Sequence, residues 1–360
     1  MKFIKAIFLS SVLFLQLTSC KDTGTGPNRK PFKDLREMTW AVDTIFNPVN
    51  SIQTTMTSLY VGSSNNIYIA GHNDGPDQIW HYDGVSWTPI DLWNVIGGYY
   101  VSGLFGVSER NIWVYGYRGY GPVGEEYNRF FVMKNDGSKW TPFDLDGYGR
   151  IITASGTDEN NVLTAGDSGY VFKYNGSSWE KNRINISYSL GAFYTFVGSA
   201  FFNNKLHLLA TIFGTAQGDK FYYINGSMNN WSIIDSMKEL HYSSEIKWGT
   251  IGLYSSPYGK LYSFGAAGIW EWKDEKWIKI FDTNVVIRGM YGLSKNYMIA
   301  VGEYNMVYFY NGVNWTQLTK FKDGQGLNIY TAAWADGNEV IVLGHTLDGW
   351  PQKSVVWKGK

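Results

Sequence analysis

The chain has 360 residues with 31 basic and 31 acidic side chains, so its formal net charge is zero. Without a basic surplus, a protein that binds along the phosphates of a nucleic acid is disfavoured. There are 41 glycines, and aromatic residues make up 17% of the chain, as do charged residues. Because glycine and aromatic residues favour turns and strands, this composition excludes long-helix bundles, coiled coils and disordered chains.

The first twenty residues have the pattern of an export signal. Lys2 and Lys5 flank the start of an apolar stretch at 6–17, which is too short to span a bilayer and has the length of a signal-peptide core. The stretch ends in Leu17-Thr18-Ser19-Cys20, and Cys20 is the only cysteine in the chain. These four residues resemble the lipobox of bacterial lipoproteins, a family in which the cysteine is acylated, as with palmitate, and becomes the mature N-terminus.

The resemblance implies that residues 1–19 are a signal peptide and that Cys20 is the lipid attachment site. The alternative is an ordinary signal peptide with a chance cysteine. Residues 20–35 are polar, contain glycine and proline, and predict a flexible tether. No later segment has 18 consecutive apolar residues, so the lipid is the only predicted membrane contact. The expected location is the bacterial outer membrane, with the body either periplasmic or surface-exposed.

A repeated pattern organises the rest of the chain: a short strand, Asp/Asn-Gly, two residues, then Trp. Its copies begin at Asp83, Asp136, Asn175 and Asn311, with a stretched copy over 225–231 and a contracted one over 274–277. Asp/Asn-Gly between apolar runs indicates a β-hairpin, because both residues tolerate positive φ. Two further short strands precede each hairpin, so each unit has four strands. Such units, 38 to 53 residues apart, are typical of propeller blades.

The repeat predicts an all-β fold over residues 36–360, a β-propeller of seven four-stranded blades. Seven marker tryptophans support this number: Trp40, Trp87, Trp140, Trp179, Trp231, Trp277 and Trp315. The last unit lacks a fourth strand, whereas Trp40–Ile45 has the pattern of that strand without a blade before it. Pairing the two closes the ring and leaves no open edge. Six or eight blades would follow if a divergent unit were miscounted.

The repeat is loosely similar to kelch and sialidase-type repeats, and it looks like the divergent propeller repeats of secreted and lipid-anchored bacterial proteins. It departs from the sialidase Asp-box, in which one residue separates the acid from the glycine; here they are adjacent. The arginine trio and Tyr/Glu pair of sialidases are not recognisable either. The resemblance therefore implies the fold and not an activity.

The predicted binding surface is the face that carries the longer loops. With strands named a to d from the channel outwards, the b–c and d–a connections share one face, and insertions in the neighbouring blades 7, 1 and 2 would form one rim. The candidate ligand-binding residues are Trp93, Tyr99, Tyr100, Tyr117, Tyr120 and Trp350. Aromatic side chains there suit stacking on sugar rings or gripping an extended peptide, unless they pack on one another.

A second candidate is a metal site. Glu303, His345 and His72 each follow the glycine that ends strand b, in blades 6, 7 and 1. A carboxylate and two imidazoles are the residue set of a facial metal triad. Adjacent sheets lie ~10 Å apart, however, so a pair is easier to bring together than all three.

No GxSxG, HExxH or phosphate-loop motif occurs, and we predict neither catalytic residues nor a cofactor. The first interpretation is a monomeric, membrane-anchored binding or assembly module for a glycan, peptide or protein. The second is a carbohydrate-active enzyme, a glycosidase or polysaccharide lyase, which would need convergent acids or an Arg/Tyr/His cluster near the channel. The third is a structural scaffold of an envelope complex.

Overall fold

The computed structural model describes residues 32–360 apart from residues 48, 50, 121–126, 216–217, 239–245 and 323–325, and only the backbone of Tyr120 and Tyr127. The predicted signal peptide and Cys20 lie outside the described residues. Within them, the strands form seven four-stranded antiparallel sheets arranged in a ring. The predicted seven-bladed β-propeller is therefore confirmed. No helix in this part of the chain is long and apolar enough to cross a membrane.

Twenty-eight strands are described, and each blade has its strand a on the channel and its strand d outside. In the order a to d, the blades are: blade 1, β2 (Thr54–Ser63), β3 (Asn66–Asn73), β4 (Ile79–Tyr82), β5 (Trp87–Pro89); blade 2, β6 (Tyr99–Ser108), β7 (Asn111–Tyr120), β8 (Tyr127–Asn135), β9 (Trp140–Tyr148); blade 3, β10 (Ile151–Asp158), β11 (Asn161–Gly166), β12 (Tyr170–Tyr174), β13 (Trp179–Arg183); blade 4, β14 (Phe193–Phe202), β15 (Lys205–Phe213), β16 (Lys220–Ser227), β17 (Asn230–Lys238); blade 5, β18 (Gly252–Ser255), β19 (Leu261–Gly265), β20 (Gly268–Lys273), β21 (Lys276–Phe281); blade 6, β22 (Ile287–Ser294), β23 (Tyr297–Gly302), β24 (Met306–Tyr310), β25 (Trp315–Gln317); blade 7, β26 (Asn328–Ala335), β27 (Val340–Thr346), β28 (Ser354–Gly359), β1 (Trp40–Ile45). One α-helical turn, α1, spans Trp93–Ile96, and 3-10 turns span Leu35–Glu37, Asp167–Gly169 and Thr319–Phe321.

The ring closes through the two ends of the described chain. β1 pairs antiparallel with β28 over its whole length, from Trp40 opposite Gly359 to Ile45 opposite Ser354. The N-terminal strand is thus strand d of blade 7, as the sequence predicts. β28 is therefore paired with β27 on one side and with β1 on the other, so strand c of blade 7 has no unpaired edge.

The hydrophobic core is divided among the interfaces between blades. Each of the seven core clusters formed by the described residues joins two neighbouring blades. Between blades 7 and 1, for example, fully buried Leu343 and Val356 pack with Met56 and Ile69. Strands that are covered on both faces need apolar residues on both, which explains the weak alternation in the sequence.

The c–d turns obtain their shape from one glycine and one side-chain cap. Gly84 has φ +98°, and a Cβ there would lie 2.8 Å from the Asn65 side chain of the a–b turn. Asp83 instead accepts hydrogen bonds at Oδ1 from the amides of Val85 and Ser86, both at 2.8 Å. Of the two turn residues, only Gly84 takes positive φ here.

The marker tryptophans start the outer strands and contact the preceding blade. Trp179 is half-buried, and its ring lies 5.5 Å from that of Trp113 in blade 2, a fully buried residue. Trp87 donates from Nε1 to Asp43 Oδ2 of blade 7 at 2.9 Å. Each such tryptophan therefore joins two blades rather than filling the centre of one.

The body begins earlier than the sequence analysis places it. Leu35 is 1% exposed in the cluster between blades 6 and 7. The ring of Phe32 meets that of Tyr297 edge-on at 5.3 Å, and Lys33 N donates to the carbonyl of Gly337 at 2.8 Å. Residues 32–35, counted with the tether on sequence grounds, are thus packed on the propeller.

Candidate functional site

The face that carries the b–c and d–a connections, called the loop face below, differs from the rest of the surface in its exposed side chains. Of the 21 large apolar side chains that are exposed among the described residues, 13 lie on it: Val49, Ile52, Trp93, Val95, Tyr100, Tyr188, Leu190, Phe193, Phe213, Tyr304, Leu327, Leu347 and Trp350. The others are spread over outer strands and the opposite turns. A concentration of this kind on one face is typical of an interaction surface.

A cleft of about 450 Å³ lies on this face between blades 1 and 2. One wall is the b–c loop of blade 1, and the other is the d–a connection that contains α1. Its lining residues are Asn73, Asp74, Gly75, Pro76, Gln78, Asp91, Trp93, Gly98, Tyr99 and Tyr100. The volume is in the range of small-molecule sites, ~300–1,000 Å³.

Trp93 and Tyr100 present the aromatic surface of the cleft. Trp93 is 52% exposed and Tyr100 is 47% exposed. A Cβ on Gly98 would lie 3.3 Å from the Trp93 ring, so the absence of a side chain at Gly98 leaves room for the indole. Asp91 Oδ1 accepts from the Trp93 amide at 2.7 Å and fixes the start of α1. Both predicted residues therefore lie where a ligand could reach them.

Tyr99, one of the predicted ligand-binding residues, lies in the lining of the cleft but is almost fully buried. It is 1% exposed, and its hydroxyl donates to the carbonyl of Pro76 at 3.2 Å and accepts from the Leu92 amide at 3.3 Å. Burial raises the pKa of Tyr99 to about 12. Successive side chains of a strand point to opposite sides, so with Tyr100 exposed, Tyr99 faces the core. Its role is to join the two walls of the cleft.

Hydrogen bonds join the loops of blades 7 and 1. Gln352 in the b–c loop of blade 7 donates its amide to the carbonyl of Ile52 at 3.0 Å, and its side chain accepts from Gln53 Nε2 at 2.6 Å. Asp74 of blade 1 accepts in turn from the amides of Ile52 and Gln53, at 3.2 and 3.1 Å, and from Ser51 Oγ. In the described residues, these hydrogen bonds group the loops of blades 7 and 1.

The carboxylate of Asp74 is held in its charged form. Burial opposes this, but hydrogen bonds from Ser51, Gln53 and Ile52 together lower the pKa of Asp74 below its ordinary value. A general acid in glycoside hydrolysis needs a pKa that is raised instead. Asp74 therefore caps the loop at 51–53 in its charged form.

Tyr100 and Tyr117 extend the rim towards blade 3. Their rings stack at 4.9 Å with an interplanar angle of 16°. Burial raises the pKa of Tyr117. The Arg150 guanidinium, just before β10, is paired with Asp167 at 2.9 Å and lies 5.1 Å from the Phe193 ring centroid. Of the predicted tyrosines, Tyr100 is thus exposed while Tyr117 partly serves as its support.

Trp350 and Tyr120 are the remaining predicted residues of the rim. Trp350, in the b–c loop of blade 7, is 68% exposed. Tyr120 ends β7, but its side chain lies outside the described residues.

The three residues of the suggested metal triad are not brought together. Glu303 is in an ion pair with Arg288 of its own blade. His72 Nε2 is 3.0 Å from Gln53 Oε1, and burial lowers the pKa of His345 to about 4. No group of three or more His, Cys, Asp or Glu residues that could hold a metal ion occurs in the described part of the chain. Glu303, His345 and His72 therefore do not form the predicted metal site.

Two residues of the cleft were missed by sequence reasoning. Gln78 is 3% exposed and bonds blade 1 to blade 2, but a glutamine at the end of a loop gives no sequence signal of that role. Asp91 could have been noticed, since an aspartate just before a helical turn is a typical start signal.

The structure is a seven-bladed β-propeller whose exposed apolar side chains are concentrated on the loop face. No family model and no curated protein matches the chain. Among solved structures it is similar to YCF48 bound to D1 peptide, with 13% identity and a TM-score of 0.59 over 89% of this chain and 96% of that one.

Two further solved structures have the same architecture. The extracellular domain of BT4673 from B. thetaiotaomicron is 12% identical with a TM-score of 0.56, over 88% of this chain and 40% of that one. The GH74 xyloglucanase from Xanthomonas campestris is 9% identical with a TM-score of 0.53, over 85% and 53%. At these identities the likeness shows the fold alone.

Proposed function

We propose that this protein is a non-enzymatic binding module whose loop face takes a peptide or an extended segment of a partner protein. The observation that carries the proposal is the concentration of exposed apolar side chains on that face. Rim residues with hydrogen-bonded backbones would meet the partner without a large loss of conformational freedom. A monomer that lies outside the cytoplasm is the form in which we expect it to act.

A peptide is favoured over a glycan by the kind of side chain exposed. Sugar sites rely on aromatic stacking together with many polar groups, whereas this face also exposes aliphatic residues such as Ile52, Leu190 and Leu347. Aliphatic side chains gain free energy by burial against other apolar groups. The YCF48 structure with a D1 peptide is an instance of a propeller with a bound peptide.

The carbohydrate-active alternative has less support. A glycosidase needs two convergent carboxyl groups, one of them a proton donor. At the b–c turns of blades 3 and 6, Asp167 and Glu303 are each paired with an arginine. In the cleft, Asp74 has a lowered pKa. The xyloglucanase likeness concerns the fold and brings no matching acid pair.

The proposal includes attachment to a bacterial membrane through Cys20. It rests on the lipobox-like residues Leu17 to Cys20 and on the preceding apolar stretch, all in the printed sequence. A lipid at the end of a polar tether would hold the propeller near a membrane. The partner would then be a component of the cell envelope or a molecule that reaches it.

The proposal is tested by probing the full-length protein in detergent on arrays of random peptides and of glycans. We expect peptide binding that a variant with Trp93→Ala, Tyr100→Ala and Trp350→Ala reduces at least tenfold, because buried aromatic anchors carry much of the affinity of an interface. The matched control replaces exposed valines away from the loop face, Val42→Ala, Val85→Ala and Val313→Ala, and should bind as the parent does. Binding of glycans alone, or equal loss in both variants, would contradict the proposal.

A further inference from the structure

The cleft between blades 1 and 2 differs in charge from the protein as a whole. The chain is neutral, yet the cleft lining includes two carboxylates, Asp74 and Asp91, and no basic side chain. Two exposed aromatic rings, Trp93 and Tyr100, lie in the same lining. Carboxylates beside aromatic faces are the surroundings that organic cations prefer, through charge-assisted hydrogen bonds and cation–π contacts.

The hydrogen-bond donors of the lining are largely occupied within the protein. Asn73 Nδ2 donates to Thr54 Oγ1 at 2.9 Å, and Gln78 Nε2 donates to the carbonyl of Tyr99 at 2.9 Å. The Tyr99 hydroxyl donates to Pro76. The charged side chains that remain to meet a ligand, Asp74 and Asp91, only accept, while the Trp93 indole and the Tyr100 hydroxyl can still donate. Ammonium and guanidinium groups carry donors only and suit these two carboxylates.

The cleft is also built to keep its shape. Gln78 bonds both to Tyr99 and, through Oε1, to the amide of Val101 at 2.7 Å, so a side chain of blade 1 is fixed to strand a of blade 2. In the same b–c loop, Asp74 accepts from the amides of Ile52 and Gln53, and in the other wall Asp91 accepts from the Trp93 amide. Since the walls are fixed before a ligand arrives, little ordering has to accompany binding.

We infer that the cleft is a subsite for a lysine or arginine side chain of the bound peptide, with Asp91 as the charged partner and with Trp93 and Tyr100 as aromatic walls. This inference rests on the proposed function and names the chemistry of its partner: an extended segment that carries a basic residue among apolar ones. The apolar residues would meet the rest of the loop face. A cleft of this volume holds one long side chain together with part of the adjacent peptide.

The test uses peptides selected from the random array on the full-length protein. Each selected peptide that contains arginine is resynthesised with citrulline, which keeps the shape of the side chain and removes its charge. Arginine peptides should bind about tenfold more tightly than their citrulline partners, the scale of a charge-assisted hydrogen bond. In Asp91→Asn the difference should fall below twofold, because the asparagine oxygen can still accept from the Trp93 amide while the charge is gone.

The control is Asp83→Asn in the c–d turn of the same blade, where the carboxylate also caps backbone amides but lies on the opposite face. It should preserve the tenfold preference. Peptides that bind without preferring arginine or lysine, or a preference that survives Asp91→Asn, overturn the subsite and leave the proposed function standing. If no peptide binds the parent protein at all, the proposed function fails, and the subsite fails with it.

Discussion

The side chain of Gln78 makes the hydrogen bonds to the backbone at Tyr99 and Val101 that a neighbouring strand would otherwise make. Its Nε2 donates to the Tyr99 carbonyl at 2.9 Å, and its Oε1 accepts from the Val101 amide at 2.7 Å. One buried amide thus satisfies the two backbone groups that begin strand a of blade 2, and it does so from blade 1. Backbone groups at the start of a strand need a partner, which is water, a loop or, as here, a side chain.

The first prediction follows from that pair of bonds. Gln78→Leu should lower the free energy of unfolding by about 2–6 kcal/mol, because two buried backbone groups then lose their partners at about 1–3 kcal/mol each. The measurement is urea unfolding followed by circular dichroism. Gln317→Leu, at a partly exposed site on strand d of blade 6, is the control and should change the stability little. Equal losses of unfolding free energy in both variants would show that the two hydrogen bonds of Gln78 do not stabilise the fold.

The second prediction concerns ring closure. Deletion of residues 21–46 removes β1 and leaves β28 with an open edge, so the melting temperature should fall severely. Deletion of 21–35 should lower the melting temperature less. It removes the buried Leu35, which should reduce the free energy of unfolding by about 3 kcal/mol. Deletion of 21–31 should leave the melting temperature unchanged, because the sequence of this segment predicts a tether. Identical melting curves for the shortest and the longest deletion would contradict the role of β1.

The fold was predictable because its signal is local and repeated. An Asp/Asn-Gly turn followed by Trp marks strand d in most blades. The strand Trp40–Ile45 has no blade before it, and only the last blade lacked a fourth strand, so their pairing could be predicted. The contracted copy was also recognisable, although Asp274 and Glu275 there both take positive φ without a glycine.

The site was predictable only in part because its signals are not local. The sequence could place Trp93, Tyr100 and Trp350 in loops, but it could not say which of two adjacent tyrosines faces outwards. That depends on where β6 begins. The bonds of Gln78 and the packing of Leu35 join positions on different blades, and no spacing in the sequence reports such contacts.

The third prediction is a loss of stability on mild acidification. His207 is 2% exposed, with Nδ1 2.7 Å from the Tyr223 hydroxyl, and burial lowers its pKa to about 4. The unfolded chain has the ordinary value of 6.5 and therefore binds a proton at a higher pH than the native protein does. Stability is fully present above pH 6.5 and is lost as the pH falls towards 4, by about 3 kcal/mol for this histidine.

The measurement for this prediction is chemical unfolding between pH 7.5 and 4.5. The slope against pH should flatten in His207→Gln, which is less stable at pH 7.5 but no longer gains a proton on unfolding. His72→Gln, at an exposed position on the loop face, is the control and should keep the parent slope. A parent protein whose stability rises as the pH falls from 6.5 to 4.5 would show that the sign is wrong.

The fourth prediction concerns attachment to the membrane. Cys20→Ser should give a folded propeller that is found in the soluble fraction, because the only predicted lipid attachment site is removed. A stable anchor needs long acyl chains rather than a polar segment. The measurement is fractionation of cells after washing in high salt, with the parent protein expected in the membrane fraction. Retention of the variant on membranes would mean that something other than Cys20 holds the protein there.

The last prediction separates residues that hold the blades together from residues that meet a ligand. Trp179→Ala should lower the stability by about 3 kcal/mol, since Trp179 packs edge-on against the buried Trp113 at 5.5 Å and also contacts Tyr174. Trp93→Ala should change the stability by less than about 0.5 kcal/mol, the usual range for an exposed site. The measurement is a melting curve and a peptide titration for each variant.

The two variants should show opposite effects in those measurements. Trp179→Ala should still bind peptide at a temperature where it is folded, because its ring lies between blades 2 and 3 and away from the cleft. Trp93→Ala should melt like the parent and bind at least tenfold more weakly, because it loses an aromatic wall of the cleft. If Trp93→Ala instead loses as much stability as Trp179→Ala, the indole of Trp93 is a packing group, and the cleft loses the residue on which its assignment most depends.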